Sequence, residues 1–141
     1  MIPKYRGLSI DEKSKGECQY GYLIADDKQV FILNEVIEAN EQYITIGSWC
    51  PVDPETVGQS TGLVDKNGKE IFEGDILAIE TDEGILNVNI FWDSKHALFM
   101  FESKKHNEKD LLAELAEDNT YPFEIAGNIY ENPELLLLEV E

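Results

Sequence analysis

Residues 76–101 read ILAIETDEGILNVNIFWDSKHALFMF. Along 85–93 apolar residues alternate with polar ones, which is the period of a half-buried β-strand. The side chains predicted to share its core face are Leu86, Val88, Ile90 and Trp92. Turn-forming sequences lie at 82–84 and 93–95, so the chain is expected to reverse direction on both sides of this strand. The stretch predicts a three-stranded antiparallel meander over 75–102.

A hairpin is predicted just before the meander. Asn67-Gly68 lies between two short apolar segments, and this dipeptide suits a type I′ turn, in which both central residues take a positive φ. The next strand begins at Gly74-Asp75. Asp75 is expected to bond neighbouring backbone amides and to hold that turn.

The first third of the chain also has the pattern of strands. Residues 20–25 and 43–49 alternate, while 30–35 carries apolar side chains on both faces, which is typical of a strand covered on both sides. A short helix at 34–41 is an alternative for the segment that follows. Pro51 and Pro54 are predicted to end this run of strands, because proline cannot donate to a ladder.

One helix is predicted, at 107–117. Asn107 provides its N-cap, and leucines recur at helical spacing behind it. A last strand follows at 123–130, with an interruption at Gly127. Pro133 then begins a final helical turn.

These patterns predict a β-rich α+β protein. A β-rich N-terminal subdomain is expected at 1–51 and a second region at 52–141, with one continuous domain as the alternative. The predicted core residues are Ile76, Leu86, Val88, Ile90, Trp92, Leu98, Met100, Leu112, Leu115 and Ile129.

The charge of the chain is strongly negative. Its 141 residues include 29 acidic and 11 basic side chains, for a formal net charge of −18. Half of that charge lies in 107–141, which has ten acidic residues and one basic residue. Such a charge opposes binding to phosphate backbones, because nucleic-acid affinity comes from lysine and arginine that displace counterions. Two interpretations stay open: a solvated surface, or a polyanionic face that imitates nucleic acid or meets a basic protein.

Composition and cysteine usage indicate a cytoplasmic protein. The chain is 43% hydrophobic, with no apolar run of membrane-spanning length and no signal-peptide pattern. Cys18 and Cys50 are expected to be reduced, although a disulfide between them stays open. Cys50, beside Trp49, is predicted to be a small buried residue.

No constellation of catalytic or metal-binding residues stands out. His96 and His106 lack the spacing of a metal motif, and no phosphate-binding glycine loop or nucleophile elbow occurs. Carboxylates in Glu73-Gly74-Asp75 and in Asp82-Glu83 are the remaining candidates for a metal or acid–base site. The sequence therefore predicts a non-enzyme without a cofactor.

A run of four leucines lies near the C-terminus, between Glu134 and Glu139. These residues either dock onto their own domain or pack against another subunit or a partner, since exposed apolar patches usually mean contact. The candidate partner-contact residues are Leu135, Leu136, Leu137 and Leu138.

Three segments, in order along the chain, are similar to one family. Residues 52–76 read VDPETVGQSTGLVDKNGKEIFEGDI, a stretch that resembles the signature of the YopX family. The opening Lys4-Tyr5-Arg6 and the ending FEIAGNIYENPELL at 123–136 resemble that family as well. The chain departs from the family pattern at Leu8 and Ser60, where aromatic residues are common.

The resemblance implies a phage or prophage protein that works in the host cytoplasm, and it supplies no catalytic residue. It also agrees with a small SH3-like barrel for 72–130. Such barrels bind peptides, nucleic acids or other domains, although a fold alone does not assign a function.

The favoured hypothesis is a non-enzymatic accessory protein that binds an unidentified host or phage protein, or a second copy of itself. The alternative is a nucleic-acid-linked role, through an acidic mimic surface or weak binding by the barrel. A carboxylate enzyme is the third hypothesis. Direct nucleic-acid binding would need a basic patch, for which the candidates are Lys66, Lys69, Lys95, Lys104 and Lys105.

Overall fold

A computed structural model describes residues 2–118 and 120–137 of the chain. It is β-rich, with antiparallel sheets and short helices. The chain forms two compact units, Met1–Ser60 and Thr61–Glu141. Within the described residues, no helix is both long enough and apolar enough to cross a membrane.

The strands and helices follow in chain order. They are β1 (Tyr5–Leu8), β2 (Cys18–Ala25), β3 (Val30–Ala39), β4 (Ile44–Val52), a 3₁₀ turn (Pro54–Thr56), β5 (Gly58–Val64), β6 (Glu70–Phe72), β7 (Asp75–Thr81), β8 (Gly84–Asp93), β9 (Leu98–Ser103), β10 (Glu108–Leu111), α1 (Leu112–Glu117), β11 (Phe123–Asn128) and α2 (Glu134–Leu137).

The first unit is an antiparallel sheet in the order β4-β3-β2-β1-β5. The predicted strands at 20–25 and 30–35 are confirmed, and the alternative helix at 34–41 is replaced by the continuation of β3. Its small core consists of buried Ile32, Cys50 and Val52, so the prediction for Cys50 is confirmed. Both cysteines are free thiols, which closes the alternative of a disulfide.

Pro51 does not end the strand, contrary to the prediction. β4 continues to Val52, and Pro51 lies opposite Phe31 in the ladder. The carbonyl of Pro51 points away from β3, since it accepts a 3.0 Å hydrogen bond from the N–H of Ile10. The ring nitrogen lies on the same side, so β3 loses no hydrogen bond to it.

The second unit contains a five-stranded antiparallel sheet in the order β10-β9-β8-β7-β11. The predicted meander over 75–102 is confirmed as β7, β8 and β9, joined in register from Ile76↔Asn89 to Asp93↔Leu98. The sheet ends at β10 and β11 instead of closing, so the SH3-like barrel is not shown. The β-rich α+β class is confirmed.

The core of the second unit lies on one face of this sheet. Its buried members are Ile71, Leu77, Ile79, Val88, Ile90, Leu112 and Phe123. Of the predicted core, Ile76, Val88, Ile90 and Leu112 are buried, while Leu86, Met100, Leu115 and Ile129 are half-buried. Trp92 and Leu98 are 42% and 43% exposed, so their prediction was wrong. They flank the β8–β9 turn, where Trp92 packs only edge-on against Phe99 at 4.9 Å between ring centroids.

The predicted helix at 107–117 is only half correct. Its first part is β10, which pairs with β9 from Glu108↔Ser103 to Leu111↔Met100, and the helix begins at Leu112. Asn107 is no N-cap: it has a φ of 52° in the turn that reverses the chain. The ladder along β9 satisfies backbone groups that a longer helix would leave unpaired, and it overrides local helical propensity.

The hairpin at Asn67-Gly68 is present, but its turn differs from the prediction. Gly68 has a φ of 80° and its N–H donates to the carbonyl of Asp65 at 2.9 Å. Among the described residues, only Ala97 and Asn107 have a positive φ outside glycine, so Asn67 does not, and the turn is not type I′. Type I followed by a left-handed glycine is the arrangement of a three-residue hairpin loop.

The last strand and the final helical turn are both present. β11 pairs with β7, and its register shifts between Ile125 and Gly127, where an interruption was predicted. α2 begins one residue after Pro133, and the N–H groups of Leu135 and Leu136 donate to the carbonyls of Asn132 and Pro133 at 3.1 and 3.2 Å.

Candidate functional site

One side of the first unit's sheet carries a row of apolar and aromatic side chains, here called the aromatic face. The ladders place Tyr22 opposite Leu33 and Leu33 opposite Trp49, and they place Ile24 opposite Phe31. Residues directly opposite in an antiparallel sheet point to the same side. The aromatic face consists of Tyr22, Ile24, Phe31, Leu33, Trp49 and Pro51.

Much of the aromatic face is open to solvent. Trp49 is 56% exposed and Ile24 48%, although each belongs to a residue type that is usually buried. The ring of Trp49 meets that of Phe31 edge-on, with 5.5 Å between centroids, and this contact orients the indole on the sheet. Leu33 is buried beneath its neighbours, so the face has an apolar floor and aromatic walls.

The hairpin of β3 and β4 carries further exposed apolar side chains. The large ones beyond the aromatic face are Ile37, Tyr43, Ile44 and Ile46. The tip is ordered by polar bonds: Tyr43 donates its hydroxyl to a carboxylate oxygen of Glu38 at 2.9 Å, and Asn40 accepts the N–H groups of Gln42 and Tyr43.

The strands that carry the aromatic face are rich in acidic residues. Residues 17–52, which span β2 to β4, contain six acidic side chains and one basic side chain, Lys28. At the β2–β3 turn, backbone N–H groups of Lys28 and Gln29 donate to Asp26 and lower the pKa of that carboxyl. The aromatic face therefore belongs to a segment with a net negative charge.

The predicted leucine contact residues lie in the second unit. Leu136 is buried and α2 packs on β8, where Asn87 donates its side-chain amide to the carbonyl of Leu135 at 3.0 Å. Leu137 is 68% exposed, and Leu138 lies outside the described residues. The run is thus divided between a docked leucine and an exposed one, because neighbouring residues of a helix point about 100° apart.

The histidines occupy separate turns. His96 contacts the carboxylate of Asp93 at 2.8 Å, and this hydrogen bond lowers the pKa of Asp93. His106 lies in the β9–β10 turn, where its N–H donates to the hydroxyl of Ser103 at 3.3 Å. Across residues 2–118 and 120–137, no three histidine, cysteine or acidic side chains converge on a possible metal position.

The remaining carboxylate candidates have different environments. Asp75 is buried and accepts the N–H of Phe72 at 2.8 Å, which confirms its predicted role in holding the turn. Asp82 and Glu83 line an open surface cavity of about 240 Å³ together with His106 and other residues of the second unit. This cavity brings charged groups of both signs to one place without a nucleophile–base hydrogen bond among the described atoms.

The predicted basic candidates do not form one patch. Lys66 pairs with Glu80 at 2.9 Å, and the hydrogen bond that it donates to this carboxylate raises the pKa of the lysine. Lys95 lies in the β8–β9 turn and Lys104 in the β9–β10 turn, at opposite ends of β9. The charge needed to track a phosphate backbone is therefore dispersed over the second unit.

Sequence reasoning did not identify the aromatic face. The relevant signal was present, since 30–35 has apolar residues on both faces, but it was interpreted as a strand covered on both sides. In the structure one side covers the small core, while on the other side Trp49 and Ile24 stay about half-exposed. Whether such a strand is covered depends on elements distant in sequence.

Comparison with known proteins adds two similarities. The family described as YopX protein matches residues 4–137. A solved structure, the crystal structure of protein EF1440 from Enterococcus faecalis, is similar with a TM-score of 0.67 and 28% sequence identity, covering 96% of this chain and 99% of that chain. No curated protein matches the sequence.

Proposed function

The chain belongs to the YopX family, and we propose that it is a non-enzymatic accessory protein that acts by contact with another protein, through the aromatic face. The observation that carries this proposal is the exposure of Trp49 and Ile24 over an apolar floor. Solvating such a surface costs free energy, about 25 cal/mol for each Å² of apolar area, and a partner that covers it recovers that free energy.

The resemblance noted in the sequence supports the setting of this function. We propose a phage- or prophage-encoded protein that meets its partner in the host cytoplasm. The free thiols of Cys18 and Cys50 suit a reducing compartment. The SH3-like barrel for 72–130 stays a proposal, and the contact function proposed here does not depend on it.

The test is a capture experiment with matched variants. The purified protein is immobilised and exposed to host lysate, and the bound proteins are identified by mass spectrometry. We expect Tyr22→Ser combined with Trp49→Ser to abolish capture of a partner that the wild type retains. The control is Trp92→Ser, because Trp92 is also half-exposed and also packs edge-on against a phenylalanine.

The result becomes decisive with the purified partner. A captured protein that binds the wild type and the Trp92→Ser variant equally, and the double variant about tenfold or more weakly, would support the proposal. A partner that binds all three alike would refute the aromatic face as the contact surface. Far-UV circular dichroism checks that the double variant keeps its sheet.

A second candidate function rests on the acidic surface of the second unit. All eight described carboxylates within 107–137 are exposed, and Lys109 is the only base among them. Such a surface suits imitation of a nucleic-acid backbone toward a basic protein. Gel shifts at low salt separate this candidate from direct binding, since only direct binding retards labelled DNA and weakens as salt is added.

A further inference from the structure

We propose that the partner of the aromatic face is an extended protein segment that alternates arginine or lysine with apolar residues and joins β4 as an additional strand. This inference rests on the proposed function and specifies the chemistry of the partner. It follows from three features of the first unit: a strand edge without charged residues or proline, an apolar face beside that edge and the net negative charge of residues 17–52.

The outer edge of β4 is available for pairing. β4 is the terminal strand of its sheet, and among the described residues only 8–10 meet its outer side, at 51–53. The backbone of Pro51 faces outward, and by the two-residue alternation of a strand the N–H and carbonyl of Trp49 do so as well. Over 44–49, β4 thus presents unpaired backbone groups to solvent.

This edge lacks two of the usual protections against strand addition. Residues 44–49 read ITIGSW, with no charged residue and no proline. The edge strand β10 of the second unit contrasts with it, since three of its four residues are charged. Proteins guard edges with charged side chains, proline or β-bulges, and β4 has only the last of these, where its register with β3 shifts between Leu33 and Glu38. The side chains of β4 therefore do not oppose pairing with an added strand.

The charge of the first unit selects among occupants. A second copy would bring the same excess of acidic residues against the first, and like charges oppose that approach. Along a segment added to β4, the apolar residues lie on the side of the aromatic face and extend it beyond Trp49. The arginine or lysine residues lie on the opposite side and are attracted by the net negative charge of residues 17–52.

The experiment uses the full chain and defined fluorescent peptides. One peptide alternates arginine with valine, a second alternates glutamate with valine, and a third is the arginine peptide with alternate backbone amides N-methylated along one edge. Binding is measured by fluorescence anisotropy. A version methylated along the opposite edge completes the set, because a peptide that adds as a strand uses only one edge.

Supporting results are as follows. The arginine peptide binds at least about tenfold more tightly than the glutamate peptide, and added salt weakens it. One N-methylated version loses about tenfold or more in affinity while the other keeps its affinity. Trp49→Ser weakens binding by a similar factor, and Trp92→Ser leaves it unchanged.

Contrary results separate this inference from the proposed function. Equal binding of both N-methylated peptides overturns strand addition, and equal binding of the glutamate peptide overturns the charge selection. If no peptide binds but the captured partner still requires Trp49, the inference fails and the contact function stands. If the chain is a dimer in solution that Trp49→Ser dissociates, a second copy is the occupant and the inference is overturned.

Discussion

The carboxylate of Asp65 connects two distant segments of the second unit. It accepts the N–H groups of Asn67 and Lys69 at 2.9 Å each, and that of Ile125 at 3.0 Å. Burial raises the pKa of Asp65, but these three hydrogen bonds favour the charged form and bring the pKa below its ordinary value of 3.8. One side chain thus holds the β5–β6 hairpin to β11.

We expect Asp65→Asn to lower the free energy of unfolding by about 1–3 kcal/mol, because the amide keeps only one acceptor oxygen and no charge. Since the folded-state pKa lies below the unfolded value, this stabilisation is complete above that value and is lost as pH falls through the folded-state pKa. Urea unfolding at pH 7 and near pH 3 measures both effects. The control Asp82→Asn alters an exposed turn, and a loss equal to that of Asp65→Asn would contradict the prediction.

At the scale of elements, pairing with distant segments decided where local patterns failed. The leucines from Leu111 to Leu115 have helical spacing, and this pattern predicted that residues 108–111 belong to the helix. They form β10 instead, because β9 offers a complete ladder of hydrogen bonds. The meander, whose strands are adjacent in sequence, was predicted correctly. Strands that are adjacent in sequence have few possible pairing partners, so the local pattern is enough to predict their arrangement.

The helix α2 offers a direct comparison of adjacent leucines. We expect Leu136→Ala to destabilise the second unit by about 2–4 kcal/mol, since its buried side chain leaves a cavity. Leu137→Ala should change stability by less than about 0.5 kcal/mol, because Leu137 is exposed. Urea denaturation measures both variants. Equal effects would mean that α2 does not dock through Leu136.

For the whole molecule, the net charge of −18 is the dominant electrostatic feature. With 29 acidic and 11 basic residues, the chain has too few basic side chains to pair with most of its carboxylates. The pair of Lys66 with Glu80 is partly exposed and contributes little. Mutual repulsion of the remaining carboxylates therefore opposes the compact state and is relieved by screening.

We expect the melting temperature to rise by about 3–8 °C between about 0.02 M and about 0.3 M sodium chloride at pH 7. Differential scanning calorimetry measures this shift. Choline chloride should give the same rise, because screening depends on ionic strength and not on a specific cation. A melting temperature that stays constant or falls with salt would show that repulsion is not a significant cost.

The sequence by itself determined the β-rich class, the meander, the buried Cys50 and the family, because these follow from local alternation, turn residues and an ordered set of motifs. Only the tertiary structure decided that β4 continues through Pro51, that 108–111 is a strand and that Trp92 is exposed. It also decided that Trp49 and Ile24 of the aromatic face are exposed. Whether a strand is covered and whether an edge is paired depend on segments far apart in the chain. An alternating pattern carries no information about which of these segments pack against the strand.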